Sequence, residues 1–298
     1  MSSDNQKERR TADKAEYKAH FHAVRRATTE PIWARVLLVA ATFAFLTFFL
    51  LLPLICVFYE ALADGVDVFW RALVDKDTMR AMKMTFIAAF FSVVLNVIFG
   101  LAAAWCVGKF QFWGKGFLIS LIDLPFAISP VIAGLLFLFI FCSYSAFGRW
   151  LMEHNIRVIF ATPGVVIATV FVTFPFVARE LIPVMEAQGT EEEQAARVLG
   201  ANGWQIFWRV TAPNVRWALL YGAILCNARA MGEFGAVSVV AGKVAKTNTA
   251  PLHIEDLQQS YAQGAEPFAV ASLLAAAAIF TLVAKAVLEW KMSRATEE

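Results

Sequence analysis

Residues 190–216 read TEEEQAARVLGANGWQIFWRVTAPNVR, a polar and charged stretch set between long apolar runs. Thr190 and Glu193 match a capping box, in which the Thr hydroxyl accepts from the amide three residues on and the Glu reaches back to the Thr190 amide. The three glutamates 191–193 suit the positive end of a helix dipole. The spacing predicts a helix to about Leu199, closed by Gly200 in the left-handed conformation. Asn202 then caps a second helix with Gln205 at its third position, and Pro213 reads as the point where that helix stops. Ala195, Val198 and Leu199 share one face of the first helix; Trp204, Phe207 and Trp208 share one face of the second. Helices of two to three turns are marginal alone. The pair must dock, either on its own bundle or on another protein.

The surroundings say where such a loop sits. Of 298 residues, 59% are hydrophobic and 17% charged, and the mean hydropathy is +0.60. A soluble domain carries about 25% charged and roughly 45–50% apolar residues. The excess falls in blocks. About 20 apolar residues suffice for a helix to cross a bilayer, and six windows qualify: Val36–Tyr59, Thr85–Val107, Phe117–Cys142, Gly164–Met185, Trp217–Val240 and Phe268–Leu288. The third contains Asp123, and the fourth contains Arg179 and Glu180. The expected fold is all-α, a polytopic membrane protein of six transmembrane helices. Polar residues 1–33 precede the first window, so it reads as an uncleaved anchor rather than a signal peptide.

Lys and Arg fix the expected orientation. Fifteen lie in the N-terminal segment, the 2–3 and 4–5 connections and the C-terminal end, against seven in the other connections. Both termini and the 190–216 stretch are therefore expected in the cytoplasm. The expected organisation is a cytoplasmic segment 1–33, a transmembrane domain 34–291 with a cytoplasmic loop 186–216, and a tail 292–298.

Catalytic chemistry finds no support. Cys56, Cys106, Cys142 and Cys226 fall in or at the ends of the windows without metal spacing. His20, His22, His154 and His253 are scattered, so no metal site is expected. A GxxxxGK[ST] phosphate loop is missing from the sequence, and nothing marks a nucleic-acid surface.

Gln194-Ala195-Ala196-x-x-x-Gly200, followed by Val210-Thr211-Ala212-Pro213, resembles the EAA loop of ABC-importer permeases. Both alanines, the glycine, the spacing and the proline match. Gln194 stands where the family has glutamate, although Glu193 is adjacent. The stretches Asp123–Gly134 (DLPFAISPVIAG), Phe174–Val184 (FPFVARELIPV) and Asn227–Val239 (NARAMGEFGAVSV) are similar to the sulfate/thiosulfate group of these permeases, and Trp217–Gly222 and the polar segment Ile254–Tyr261 to its CysW-type branch rather than the CysT-type sibling.

The resemblance implies a type I ABC importer permease fold in the bacterial inner (plasma) membrane and transport by alternating access. It also implies a sibling CysT-type permease, a dimer of CysA-type ATP-binding subunits and an extracytoplasmic sulfate/thiosulfate-binding protein. ATP and Mg would bind the partner ATPase, with no cofactor in this chain. Glu193, Gln194, Ala195, Ala196, Gly200 and Pro213 would couple to the ATPase. Other oxyanions such as molybdate share the pattern. An ion-coupled secondary transporter is the alternative of a different class, although no repeat is evident.

Intramembrane polar residues are the candidates for a translocation pathway or gate. Arg229 lies deep in the fifth window with Glu233 at i+4, which allows either a structural ion pair or contact with a passing anion. Asn227 lies on the same window. Asp123 and Arg179 sit at similar depth, as a structural cross-helix pair or a cytoplasmic-side gate. Ser129, Thr173 and Asn96 lie near mid-span, two of them beside prolines that either kink a packed helix or open a cavity.

Overall fold

The computed structural model describes residues 32–242, 247–260 and 264–297. The expectation for residues 1–33 therefore lies almost wholly outside the described residues. Among the described residues every regular element is helical. The chain divides into two compact units, residues 1–56 and 57–298.

In the first unit the described residues belong to α1 (Ile32–Ala63), which continues beyond it. No charged residue interrupts it between Val36 and Tyr59, and a π-helical turn occupies Thr47–Leu51.

The second unit holds α2 (Val66–Val74), α3 (Lys76–Lys109), α4 (Lys115–Ala127), α5 (Pro130–Phe141), α6 (Ala146–Glu153) and α7 (Thr162–Gln188). There follow α8 (Glu191–Val198), α9 (Gly203–Met231), α10 (Gly235–Ala241), α11 (Ala250–Ser260) and α12 (Glu266–Glu297). Asp75 starts α3, its carboxylate accepting from the amides of Asp77 at 2.8 Å and Thr78 at 3.3 Å. Lipid offers no hydrophobic gain for helix association, so close packing of small and branched side chains holds such a bundle together. Ala104 of α3, Val177, Leu181 and Met185 of α7, and Val215 and Cys226 of α9 form one such buried cluster.

Four helices are long and apolar enough to cross a membrane: α1, α3, α7 and α12 through Trp290. The count reaches six when α4 with α5, and α9 with α10, each make one span. The third window is therefore not one straight helix. Pro130 disfavours the helical conformation at the residue before it; Ser129 adopts φ −56°, ψ 135°, and the chain turns by 106° between α4 and α5. The fifth window bends by 55° between α9 and α10. These two broken elements pack closely: a Cβ on Gly134 of α5 would lie 2.7 Å from the Ala236 carbonyl oxygen of α10.

Pro213 does not end its helix, contrary to expectation. A π-helical turn at Phe207–Thr211, closed by the Ala212 amide on the Phe207 carbonyl, leads directly into Ala212–Met231. Proline is tolerated in the first turn of a helical segment, and the wider π turn supplies such a start within a continuous helix.

Candidate functional site

The loop between α7 and α9 is a braced structure. α8 carries Glu191, Glu192 and Glu193 in its first turn. The Thr190 capping box is absent: the Thr190 side chain makes no cap bond, and its hydroxyl accepts from Gln194 Nε2 at 2.8 Å. Glu193 turns away instead. Its Oε1 accepts from the Thr211 hydroxyl at 2.7 Å and pairs with Lys109 Nζ at 3.2 Å. A cation at the end of an apolar helix, only 5% exposed in its side chain, outcompetes a local cap for that carboxylate.

Further bonds fix the loop at both ends. Lys115 at the start of α4 pairs with Glu186 at 3.2 Å, Asn214 Nδ2 donates to Glu192, and Gln188 Nε2 donates to the Asn214 carbonyl at 3.2 Å. At the C-terminal end of α8 the amide of Ala201 bonds the Ala196 carbonyl and that of Gly200 the Arg197 carbonyl, the paired bonds of a Schellman motif. Gly200 has φ +86° with open space where a Cβ would stand. The Asn202 capping box is complete, Gln205 N to Asn202 Oδ1 at 2.8 Å and Asn202 N to Gln205 Oε1 at 2.9 Å.

The loop's apolar face remains uncovered by the chain itself. Val198 and Leu199 are each 88% exposed, and Gln194 and Ala195 are exposed beside them, with Ala196 partly so. Pro213 is exposed within α9.

The intramembrane candidates separate into three arrangements. Arg179 Nε donates to Asp123 Oδ1 at 2.7 Å across α7 and α4, and the guanidinium lies 5.2 Å from the Phe126 ring centre. Arg229 Nη1 pairs with Glu233 Oε2 at 2.7 Å; the Glu233 side chain is 1% exposed and that of Arg229 34%. Glu233 Oε1 also accepts from the Ala236 amide at 2.9 Å, so the same carboxylate joins α9 to the first turn of α10. Asn227 Nδ2 approaches Met231 Sδ at 3.6 Å.

Asn96 and Thr173 are brought together in the interior. Asn96 Nδ2 donates to Thr173 Oγ1 at 2.8 Å and to the Val170 carbonyl at 3.2 Å, and Thr173 donates to the Thr169 carbonyl at 2.7 Å. Both are fully buried, which makes them a joint between α3 and α7. Ser129 is exposed at the α4–α5 break without a side-chain cap bond. Lys109 was counted in the sequence only as a loop charge; its position two residues beyond the end of the second window was the available signal.

Four to six apolar helices, two of the spans broken, and a braced loop with a bare apolar face define a polytopic membrane-protein architecture. Residues 96–294 match the family of binding-protein-dependent transport system inner membrane components, and the chain belongs to that family. It is 50% identical over 256 residues to the sulfate transport system permease protein CysW of Synechocystis sp., covering 86% of this chain and 92% of that protein. With CysW of Escherichia coli the identity is 46% over 276 residues, 92% of this chain and 94% of the relative. The sulfate transport system permease protein CysT of Escherichia coli is 35% identical over 251 residues, covering 84% and 90%. Among solved structures, a bacterial ABC transporter that imports the acidic polysaccharide alginate shares the fold, with TM-score 0.70 and 17% identity over 88% of this chain and 96% of that one.

Proposed function

We propose that the chain is a permease subunit of an ATP-driven sulfate/thiosulfate importer in the bacterial inner membrane. The observation that carries this reading is the loop: a rigidly braced α8 with an exposed apolar face, in a chain 46% identical to a sulfate permease along nearly its whole length. The six-span count takes α4–α5 and α9–α10 as one span each, and the Lys/Arg bias puts both termini and the 186–216 loop in the cytoplasm.

There Gln194, Ala195, Ala196, Val198 and Leu199 face a cleft of a separate ATP-binding subunit. The small alanines allow close approach. Glu193, Gly200 and Pro213 serve coupling by shape: the ion pair, the helix stop and the π turn make the loop move as one piece. Closure of the ATPase dimer, which binds ATP and Mg, tilts α9 and alternates access to a pathway shared with a CysT-type sibling. An extracytoplasmic sulfate/thiosulfate-binding protein delivers the anion. Arg229 is the half-buried cation deep in the chain that meets a dianion, and Asp123–Arg179 acts near the cytoplasmic end as a gate.

The test is sulfate uptake into vesicles holding this chain with and without the sibling permease, ATPase and binding protein. Uptake is expected only with the full set and ATP. Uptake by this chain alone, driven by a sodium or proton gradient, overturns the reading.

A further inference from the structure

A polar pocket of about 400 Å³ lies at the start of α3. Arg71 of α2, Asp75, Asp77 and Thr78 at the start of α3, His253 of α11 and Glu266 of α12 line it. α3 is 34 residues long, about 50 Å at roughly 1.5 Å per residue, and its last residue, Lys109, holds the α8 loop. Pocket and loop therefore stand at opposite ends of a helix long enough to span a membrane.

His253 is only 8% exposed. Its Nε2 lies 3.0 Å from the buried Thr78 hydroxyl, and at the start of α11 the Ala250 amide donates to Thr85 Oγ1 at 2.8 Å. These two bonds fasten α11 to α3. The other ring nitrogen, Nδ1, makes no hydrogen bond among the described residues. Charged groups surround the imidazole from each neighbouring element: Arg71 on α2, Asp75 and Asp77 on α3, Asp256 on α11 itself and Glu266 on α12. Asp77 pairs with Arg80, Asp75 caps α3 and Asp256 accepts from Asn248 at 2.6 Å. Among the described residues Arg71 and Glu266 have no ion-pair partner.

A neutral imidazole suits this seat and an imidazolium does not. Burial disfavours the charged ring, and the three aspartates offset only part of that cost. The charge is better placed in the pocket, where water and carboxylates reach it. Histidine is also the side chain that ordinarily titrates in the physiological range. We propose that His253 is a proton-operated latch on the extracytoplasmic face: neutral, it fastens α11 to α3; protonated, it turns from Thr78 into the pocket and releases α11. The release reaches the pathway through α10. The Thr247 hydroxyl donates to the Ala241 carbonyl at 2.8 Å, tying the start of α11 to the end of α10, and the first turn of α10 holds Glu233, the partner of Arg229. Acid outside therefore loosens that joint and slows uptake. The outward placement and the effect on uptake rest on the orientation and function proposed above.

The test uses the complete transporter, with its permease and ATPase partners, in proteoliposomes whose two faces are buffered separately. Acidifying the binding-protein face from about pH 7.5 to about pH 5.5 is expected to slow wild-type uptake about threefold and His253→Gln by less than about 1.5-fold. At the lower pH, amide exchange of residues 250–260 is expected about tenfold faster in wild type than in His253→Gln. Equal exchange in the two, or equal slowing of uptake, overturns the proposal. Asp77→Asn changes an exposed side chain and keeps His253 in place. It is expected to move the midpoint of the faster exchange to lower pH, because it removes a carboxylate that favours the imidazolium; an unmoved midpoint overturns the proposal too. The exchange readout needs no transport. Histidine-dependent exchange without any uptake overturns the importer reading and keeps the latch, whereas a response only to acid on the ATPase face overturns the outward placement.

Discussion

Lys109 at the end of α3 and Glu193 on α8 form an ion pair at 3.2 Å, with side chains only 5% and 16% exposed. It is a direct electrostatic tie between a helix long enough to span a membrane and the loop proposed to couple to an ATPase. Removing one partner of a buried pair strands the other. Lys109→Met is expected to destabilise the loop by about 2–3 kcal/mol, below the fully buried case because Glu193 keeps some water contact. In a cycle with Glu193→Gln, the coupling energy from uptake rates is expected at about 1–2 kcal/mol. Additive effects would remove the tie from the coupling path.

At Gly200 the obstacle to substitution is backbone strain alone, since φ is +86° and nothing lies within 4 Å of a Cβ. Gly200→Ala is expected to cost about 1–2 kcal/mol, and Gly200→Asn less. Faster amide exchange in α8 and a lower ratio of sulfate uptake to ATP hydrolysis are the readouts. Unchanged exchange and coupling in Gly200→Ala would refute the helix-stop role.

The ion pair of Arg229 and Glu233 separates two roles. Arg229→Ala leaves a buried carboxylate with its Ala236 amide bond but without its cation. Arg229→Ala with Glu233→Gln is expected to recover thermal stability, because no buried charge is left unpaired. Uptake is expected to stay at least tenfold below wild type. Restored uptake in the double variant would reduce Arg229 to a structural partner.

Asp123 and Arg179 meet across two helices at 2.7 Å. Asp123→Asn and Arg179→Gln are each expected to slow uptake severalfold, with the double variant no worse than the more damaged single one. Slowing that simply multiplies would argue that the two act in separate steps.

Outside the membrane-spanning helices, His253 Nε2 lies 3.0 Å from the Thr78 hydroxyl, linking α11 to α3. Burial pushes the imidazole below its ordinary value of 6.5, opposed in part by the carboxylates of Asp75, Asp77 and Asp256. The unfolded chain then binds the proton more readily. The stabilisation is complete above 6.5 and lost as pH falls through the lower folded value. The Tm of the purified complex is expected to fall from about pH 7.5 to about pH 5, and less steeply in His253→Gln. Equal slopes would exclude His253 as the titrating group.

Hydropathy placed four of the six windows inside single helices and the other two across broken helix pairs, because length and apolarity suffice to mark a stretch that can span. It missed the 106° turn at Ser129: both arms are equally apolar, and a window average carries no direction. The Arg229–Glu233 pair was legible as an i+4 spacing, and Asp123 with Arg179 from matching depth. The buried bond from Asn96 to Thr173 was not, since depth places a residue along a helix but says nothing of which side it faces. The Asn202 cap followed its local signal, and the Thr190 cap yielded to Lys109, a competitor far away in the chain. Pro213 misled because the proline rule assumes α-helical hydrogen bonding, whereas the π turn at Phe207–Thr211 changes the register one residue ahead of it.

That uninterrupted passage through Pro213 makes α9 a pushrod. From Gly203 to Arg229 it extends about 39 Å at roughly 1.5 Å per residue, with the α8 loop at one tip and the Arg229–Glu233 pair at the other. A tilt of about 5° about its base would sweep the far tip by roughly 3 Å over that length, about the length of the ion pair itself. Because Glu233 is also bonded to the Ala236 amide of α10, a tilt of that size would load the joint between α9 and α10, where the Arg229–Glu233 pair sits.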